Sequence, residues 1–241
     1  MKLDILVIVA HPDDAELSCG GTLIQAAAQG KKTGIIDLTR GELGTRGTPE
    51  LRALEAAEAA KILKLAVRDN ADLPDGFIAN VREQQMRVIP YIRRYRPDIV
   101  ITNAVHDRHP DHARASTLVS ESCFLSGLKA IESRDAVGEI QAAWRPRAVY
   151  HIVQDRYLKP DFIVDISPSF EDKMRAVKAF RSQFYTGEEQ KPEETTPIST
   201  KGFMEALRAR ALEYGRLINV EYGEGFTVER AAGLHDITIL L

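Results

Sequence analysis

Leu3-Asp4-Ile5-Leu6-Val7-Ile8-Val9 is an almost unbroken apolar, β-branched run. That pattern fits a strand covered on both faces of a parallel sheet. Residues 22–29 then predict a helix closed by Gly30, residues 33–38 a second strand, and residues 49–63 a helix with Leu51, Leu54 and Leu63 set among alanines. A short strand near 66–68, a helix over about 81–95 and a strand at 98–102 continue the alternation. Further on, the pattern predicts a helix at 113–130 and strands at 148–153 and 162–166. A helix capped by Ser167-Pro168 and a last long helix at 200–218 complete it. Alternation of this kind predicts a Rossmann-like, doubly wound α/β fold, its mostly parallel sheet lying between two helical layers as α/β/α. Residues 187–197 are polar and rich in breakers, which suits a mobile surface loop, so residues 1–241 read as a single domain.

Charge and cysteine usage narrow the function classes. The net charge is -3, and a polyphosphate partner would favour a strongly basic face, so nucleic acid is not expected. Cys19 and Cys123 form no CxxC pair, which argues against a disulfide framework and a thiolate metal site and for a reducing, cytoplasmic setting. The first apolar run meets polar His11-Pro12-Asp13-Asp14 too soon to be a signal sequence or a membrane span, and no membrane association is expected.

The chemistry sits in two short clusters. Three of the six histidines fall in His106-Asp107-Arg108-His109-Pro110-Asp111-His112, and a fourth opens His11-Pro12-Asp13-Asp14 directly after the first strand. Histidine with aspartate suits a divalent ion of zinc type, and two such clusters can supply three ligands and an open position. In the common 3-2-1-4 strand order, strands one and four are neighbours where the connections diverge, and ligands bind beyond their carboxyl ends. The two clusters follow those two strands, so topology alone should bring them face to face. Pro110 suits a first helical position, which puts His112 on the first turn, about one turn from His109. Asp13 and Asp14 are adjacent and should diverge, one to bind metal and the other to take a proton.

Ala10-His11-Pro12-Asp13-Asp14-Ala15-Glu16 followed by Gly20-Gly21-Thr22, together with Arg108-His109-Pro110-Asp111-His112-Ala113, closely resembles the PIG-L/LmbE family of zinc-dependent N-deacetylases. Leu38-Thr39-Arg40-Gly41-Glu42, Gly47-Thr48, Leu51-Arg52, Asp161 to Ser167 and Tyr222-Gly223-Glu224-Gly225-Phe226 are most similar to the branch that deacetylates N-acetylglucosaminyl malate in bacillithiol biosynthesis. The resemblance implies His11, Asp14 and His112 as zinc ligands and Asp13 as general base. It further implies that His109, kept protonated with the help of Asp111, stabilises the oxyanion. Either His109 or Asp13 would protonate the leaving amine. Arg52 and Arg108 become candidates for a malyl carboxylate, with Arg40 and Glu42 lining the same crevice. Iron(II) or another divalent ion could replace zinc, and the resemblance implies a small-molecule amino-sugar substrate and a homo-oligomer, hexamers among the known forms. Relatives often carry Gly-Tyr near the start of the last helix, whereas this chain has Gly202-Phe203, with Tyr185 as a substitute candidate.

Plainer readings stand beside these. His106 reads as a loop histidine, and His151 and His235 as structural. Asp111 suits a first helical turn on dipole grounds alone, and Arg52 an ion pair on an alanine-rich helix. Gly20-Gly21 lacks the dinucleotide spacing and reads as close backbone packing. The rival functions are deacetylation of another N-acetyl amino sugar, a non-catalytic metal-containing α/β binding module, and a two-metal phosphoesterase, for which the chain offers ligands to only one ion.

Overall fold

The computed structural model describes residues 1–185, 187, 195–231, 233, 236 and 238. His235 and most of the 187–197 segment lie outside the described residues. The chain runs β1 (Ile5–Val9), α1 (Asp14–Ala28), β2 (Thr33–Asp37), α2 (Pro49–Ile62), β3 (Val67–Asn70), α3 (Arg82–Tyr95) and β4 (Ile99–Thr102). It continues through α4 (Pro110–Ser126), β5 (Ala148–Ile152), β6 (Phe162–Asp165), α5 (Phe170–Ala179), α6 (Lys201–Leu217) and β7 (Gly223–Val228). These strands form one sheet in the order β3-β2-β1-β4-β5-β7-β6. β1 pairs in parallel with β2 and β4, as the expected 3-2-1-4 order requires, and β5 extends the parallel part. β7 is antiparallel to both β5 and β6.

Side chains alternate across a strand, so β1 serves both cores at once. Leu6 and Ile8 join Val88, Ile92, Leu118 and Val119 of α3 and α4, while Val7 and Val9 join Cys19, Leu23 and Ala176 of α1 and α5. This is the expected three-layer α/β/α arrangement. A third cluster, including Phe170, Phe180, Phe184, Leu207, Ala211 and Tyr222, packs α5 and α6 together.

Helix α1 begins at Asp14, not at Thr22 as the sequence pattern predicts. Glycines in a helix interior cost roughly 1 kcal/mol each relative to alanine, which hides the first two turns from a propensity argument. Tertiary contact overrides it. A Cβ on Gly21 would lie 2.7 Å from the Cβ of Ile166, so glycine is what lets α1 approach the end of β6. Glu224 of β7 then clasps the helix by accepting from the Gly21 and Thr22 amides at 2.9 and 2.8 Å. Ser167 also departs from expectation. Residues Ser167–Ser169 form a short 3-10 turn before α5, and the Ser167 hydroxyl accepts from the Tyr222 amide instead of capping the helix.

Candidate active site

The carboxyl ends of β1 and β4 open onto a cleft of about 370 Å³ whose lining includes His11, Asp13, Asp14, Asp75, Asp107, His109 and His112. The two histidine clusters therefore meet. Ligand atoms of His11, His109 and His112 all lie within 4.8 Å of one another, and the His11 and His112 ring centroids are 5.5 Å apart.

Asp14 stands between the two outer imidazoles. Its Oδ1 is 3.2 Å from His112 Nε2 and its Oδ2 is 3.5 Å from His11 Nδ1. Neutral amides fix this carboxylate: Gln154 donates to Oδ1 at 2.8 Å and Asn103 to Oδ2 at 3.0 Å. The far nitrogen of each imidazole also meets a carboxylate. His112 Nδ1 pairs with Asp107 at 2.5 Å, and His11 Nε2 with Asp75 at 3.0 Å. A metal-binding histidine typically gives its other nitrogen to such a partner, which fixes the ring and raises its basicity.

The charges around these rings make the same case. Asp13, Asp14, Asp75, Asp107 and Asp111 are all buried, and two guanidiniums meet them, Arg52 at Asp13 and Arg114 at Asp111. Burial disfavours a charged His11, but bonding to Asp111, Asp14 and Asp75 outweighs it and holds the ring well above its usual pKa. For His112, burial is likewise overcome by Asp14 and Asp107, which carry it to about 9. Asp14 is buried too, yet His112 and His11 hold it well below the usual carboxylate range. Two nitrogens and one carboxylate, oriented by buried acids, fit a divalent cation of zinc type.

Asp13 is separated from Asp14 by its backbone. It precedes α1 with φ at 119°, a region that non-glycine residues seldom occupy and that costs strain. Burial pushes its carboxyl up to about 7, against the pull of Arg52, whose Nη2 donates to Oδ2 at 3.0 Å. Arg52 is itself anchored inside the protein, giving Nη2 also to the Pro12 carbonyl at 2.5 Å and Nη1 to that of Gly41 at 3.4 Å. Gly41 has φ at +65°, and a side chain there would collide with this guanidinium.

His109 differs from the expectation of a protonated ring. Its Nδ1 accepts the Asp111 backbone N–H at 3.3 Å, so the neutral ring carries its proton on Nε2. Burial lowers its pKa, and His11 and His112 lower it further, with Asp14 and Asp111 opposing more weakly. The Asp111 carboxylate bonds elsewhere, accepting from the Gly76 amide at 2.7 Å and lying 3.6 Å from His11 Nε2.

Arg40 and Glu42 do not line the cleft, contrary to expectation. Arg40 turns outward to an exposed pair with Asp72 at 2.7 Å. Glu42 accepts from the Asp75 amide at 2.8 Å, while Asp75 accepts from the Leu43 amide at 2.9 Å, a reciprocal clasp that positions Asp75 behind His11. Arg108 does reach the lining, as does Phe203, whereas Tyr185 does not. His106 bonds Arg156 on the surface, and buried His151 bonds Ser116 and Glu229. Asp75, Asp107, Asn103 and Gln154 escape the sequence reading, and of these only Asp107 carried a signal, its place inside the histidine run.

The fold and this donor set define an α/β protein with a buried His/Asp cluster, able to hold a cation, at the switch point of its sheet. A family profile described as PIG-L: GlcNAc-PI de-N-acetylase matches residues 6–123, the half that carries both clusters. A solved structure, the conserved protein TT1542 from Thermus thermophilus, is 38% identical, covers 98% of each chain and superposes with a TM-score of 0.85. The chain belongs to the PIG-L family. It is 29% identical to diacetylchitobiose deacetylase of Thermococcus kodakarensis over 96% of this chain and 85% of that one. It is also 29% identical to 1D-myo-inositol 2-acetamido-2-deoxy-alpha-D-glucopyranoside deacetylase of Acidothermus cellulolyticus, over 62% of this chain and 61% of that one. Among the described residues no helix is long and apolar enough to cross a membrane.

Proposed function

We propose that this protein is a metal-dependent hydrolase that removes the N-acetyl group of an N-acetylglucosaminide, with N-acetylglucosaminyl malate, the bacillithiol precursor, as its substrate. The observation that carries the reading is the pairing of a cation site with a separate, buried carboxyl beside it, that of Asp13, held through Oδ2 by Arg52. Both relatives named above are deacetylases of N-acetylated glucosamine units with different aglycones, which supports the acetamide as the reacting group. The malyl aglycone is supported by the motifs shared with that branch and by arginine at the cleft.

His11, Asp14 and His112 would hold the cation. Bound there, zinc or iron(II) supplies a Lewis acid for the acetamide carbonyl and lowers the pKa of water toward neutrality. Asp13 takes the proton of the attacking water on the oxygen that Arg52 leaves free. Having accepted that proton, Asp13 returns it to the leaving amine as the C–N bond breaks. Neutral His109 donates through Nε2 to the oxyanion and needs no positive charge to do so. Acetate and the free amine are the products.

The test is to incubate the zinc-loaded protein with N-acetylglucosaminyl malate and measure acetate and primary amine. Equal release of both, abolished by chelator and restored by zinc, is expected. A zinc-loaded protein that releases neither from this glycoside, diacetylchitobiose or an inositol glycoside overturns the reading.

A further inference from the structure

The floor of the cleft is acidic, yet its lining also includes Arg108 and Arg210. They come from different elements. Arg108 lies between β4 and α4, and its Nε donates to the Asp155 carboxylate at 3.0 Å. Arg210 lies on α6 and donates through Nη2 to the Asp155 backbone carbonyl at 3.2 Å. Two guanidiniums thus converge on one residue of the β5–β6 loop, and its carboxylate pairs with Arg108 alone. Among the described residues Arg210 has no carboxylate partner, so most of its five donors are unspent.

The spacing of α6 places this cation beside an apolar wall. Phe203, Ala206, Leu207 and Arg210 follow helical one-face spacing, and all four line the cleft. A glycoside lying along that face would meet an apolar surface under the sugar and a cation at its end. Arg52 is buried at the floor instead, where its Nη2 donates to Pro12 and Asp13 and its Nη1 to Gly41.

We propose that Arg210, together with Arg108, forms a subsite for a carboxylate on the aglycone, and that Arg210 sets the preference for acidic over neutral glycosides. The proposal rests on the deacetylase reading given above. A guanidinium fork matches a carboxylate with two parallel hydrogen bonds, and the Asp155 anchor holds both forks at the cleft before substrate arrives.

The experiment compares the parent protein, Arg210→Gln and Arg210→Lys, all zinc-loaded, on N-acetylglucosaminyl malate, its dimethyl ester and diacetylchitobiose. Arg210→Gln should lower kcat/KM for the dicarboxylate about 10- to 100-fold through KM, as expected for a charge-assisted hydrogen bond, and change the two neutral substrates by less than about twofold. Arg210→Lys should recover part of the loss. Equal losses on acidic and neutral substrates overturn the proposal and leave the deacetylase reading standing. If no substrate turns over, the deacetylase reading fails. Calorimetric binding of the malate glycoside then decides the subsite alone: weaker binding to Arg210→Gln supports it, and unchanged binding overturns it. Matching thermal melts of parent and variants exclude a folding defect.

Discussion

At the floor of the cleft Asp14 is held by two amides and two imidazoles, and every group around it is buried. At the mouth Arg108 and Asp155 meet with side chains 44% and 37% exposed. The two regions share a cavity but answer to different physics. Low dielectric at the floor makes each charge depend on its partners, so removing one strands another. Water at the mouth screens the same kind of pair, and a side chain there can be exchanged at little cost to the fold. Such a division lets the reaction stay fixed while the aglycone preference changes.

The largest effect should come from Asp13. Asp13→Ala removes the general base without touching His11, Asp14 or His112, so kcat should fall about 10²- to 10⁴-fold while zinc content, read by atomic absorption, stays at the parent level. The loss should be the same for acidic and neutral glycosides, which marks it as an effect of the floor. Turnover at the parent rate would move the base elsewhere.

A smaller loss should follow from Asp107→Asn. Asp107 holds His112 through Nδ1 and is itself fixed by the Arg156 amide at 2.7 Å. Weakening such an outer partner typically costs about 10- to 100-fold in metal affinity or activity. Zinc titration with a competing chelator should show the weaker affinity, and excess zinc should restore part of the rate. If affinity is unchanged, Asp107 does not tune this imidazole.

Much of the floor was legible from the chain alone, because strand-end position and 3-2-1-4 order convert sequence into proximity. His11, Asp13, Asp14, His109 and His112 all lie in runs flanked by a clear strand or helix signal. Asp75 does not. It sits in irregular chain after β3, and only the fold carries it to His11. Glu42 and Arg40 sit at the right end of β2 but point away, since Gly41 turns the backbone between them and direction in a loop has no periodicity to read. The antiparallel β7 was hidden for a related reason. Its Gly-Glu-Gly start is poor in strand formers, and it is recruited because Glu224 binds α1 and because bare backbone at Gly223 and Gly225 fits against Ile163 and Tyr214. Arg210 was invisible as well, because a helix face becomes a cleft wall only once its neighbour is known.

The smallest effect tests the mouth itself. Asp155→Asn keeps a side chain of the same shape and leaves the carbonyl that accepts from Arg210, but it removes the charge opposite Arg108. An exposed pair of this kind contributes about 0 to 1 kcal/mol, so the melting temperature should shift by at most a few degrees. The kinetic effect should have the opposite sign to that at the floor. With its internal competitor neutralised, Arg108 is freer for an external carboxylate, and KM for the malate glycoside should fall modestly at low salt while KM for diacetylchitobiose stays put. Added salt should erase the difference, because screening acts on exposed charges first. A KM that rose for both substrates would mean that Asp155 contacts the sugar directly, and the division between a reacting floor and a selective mouth would then have to be drawn one residue deeper.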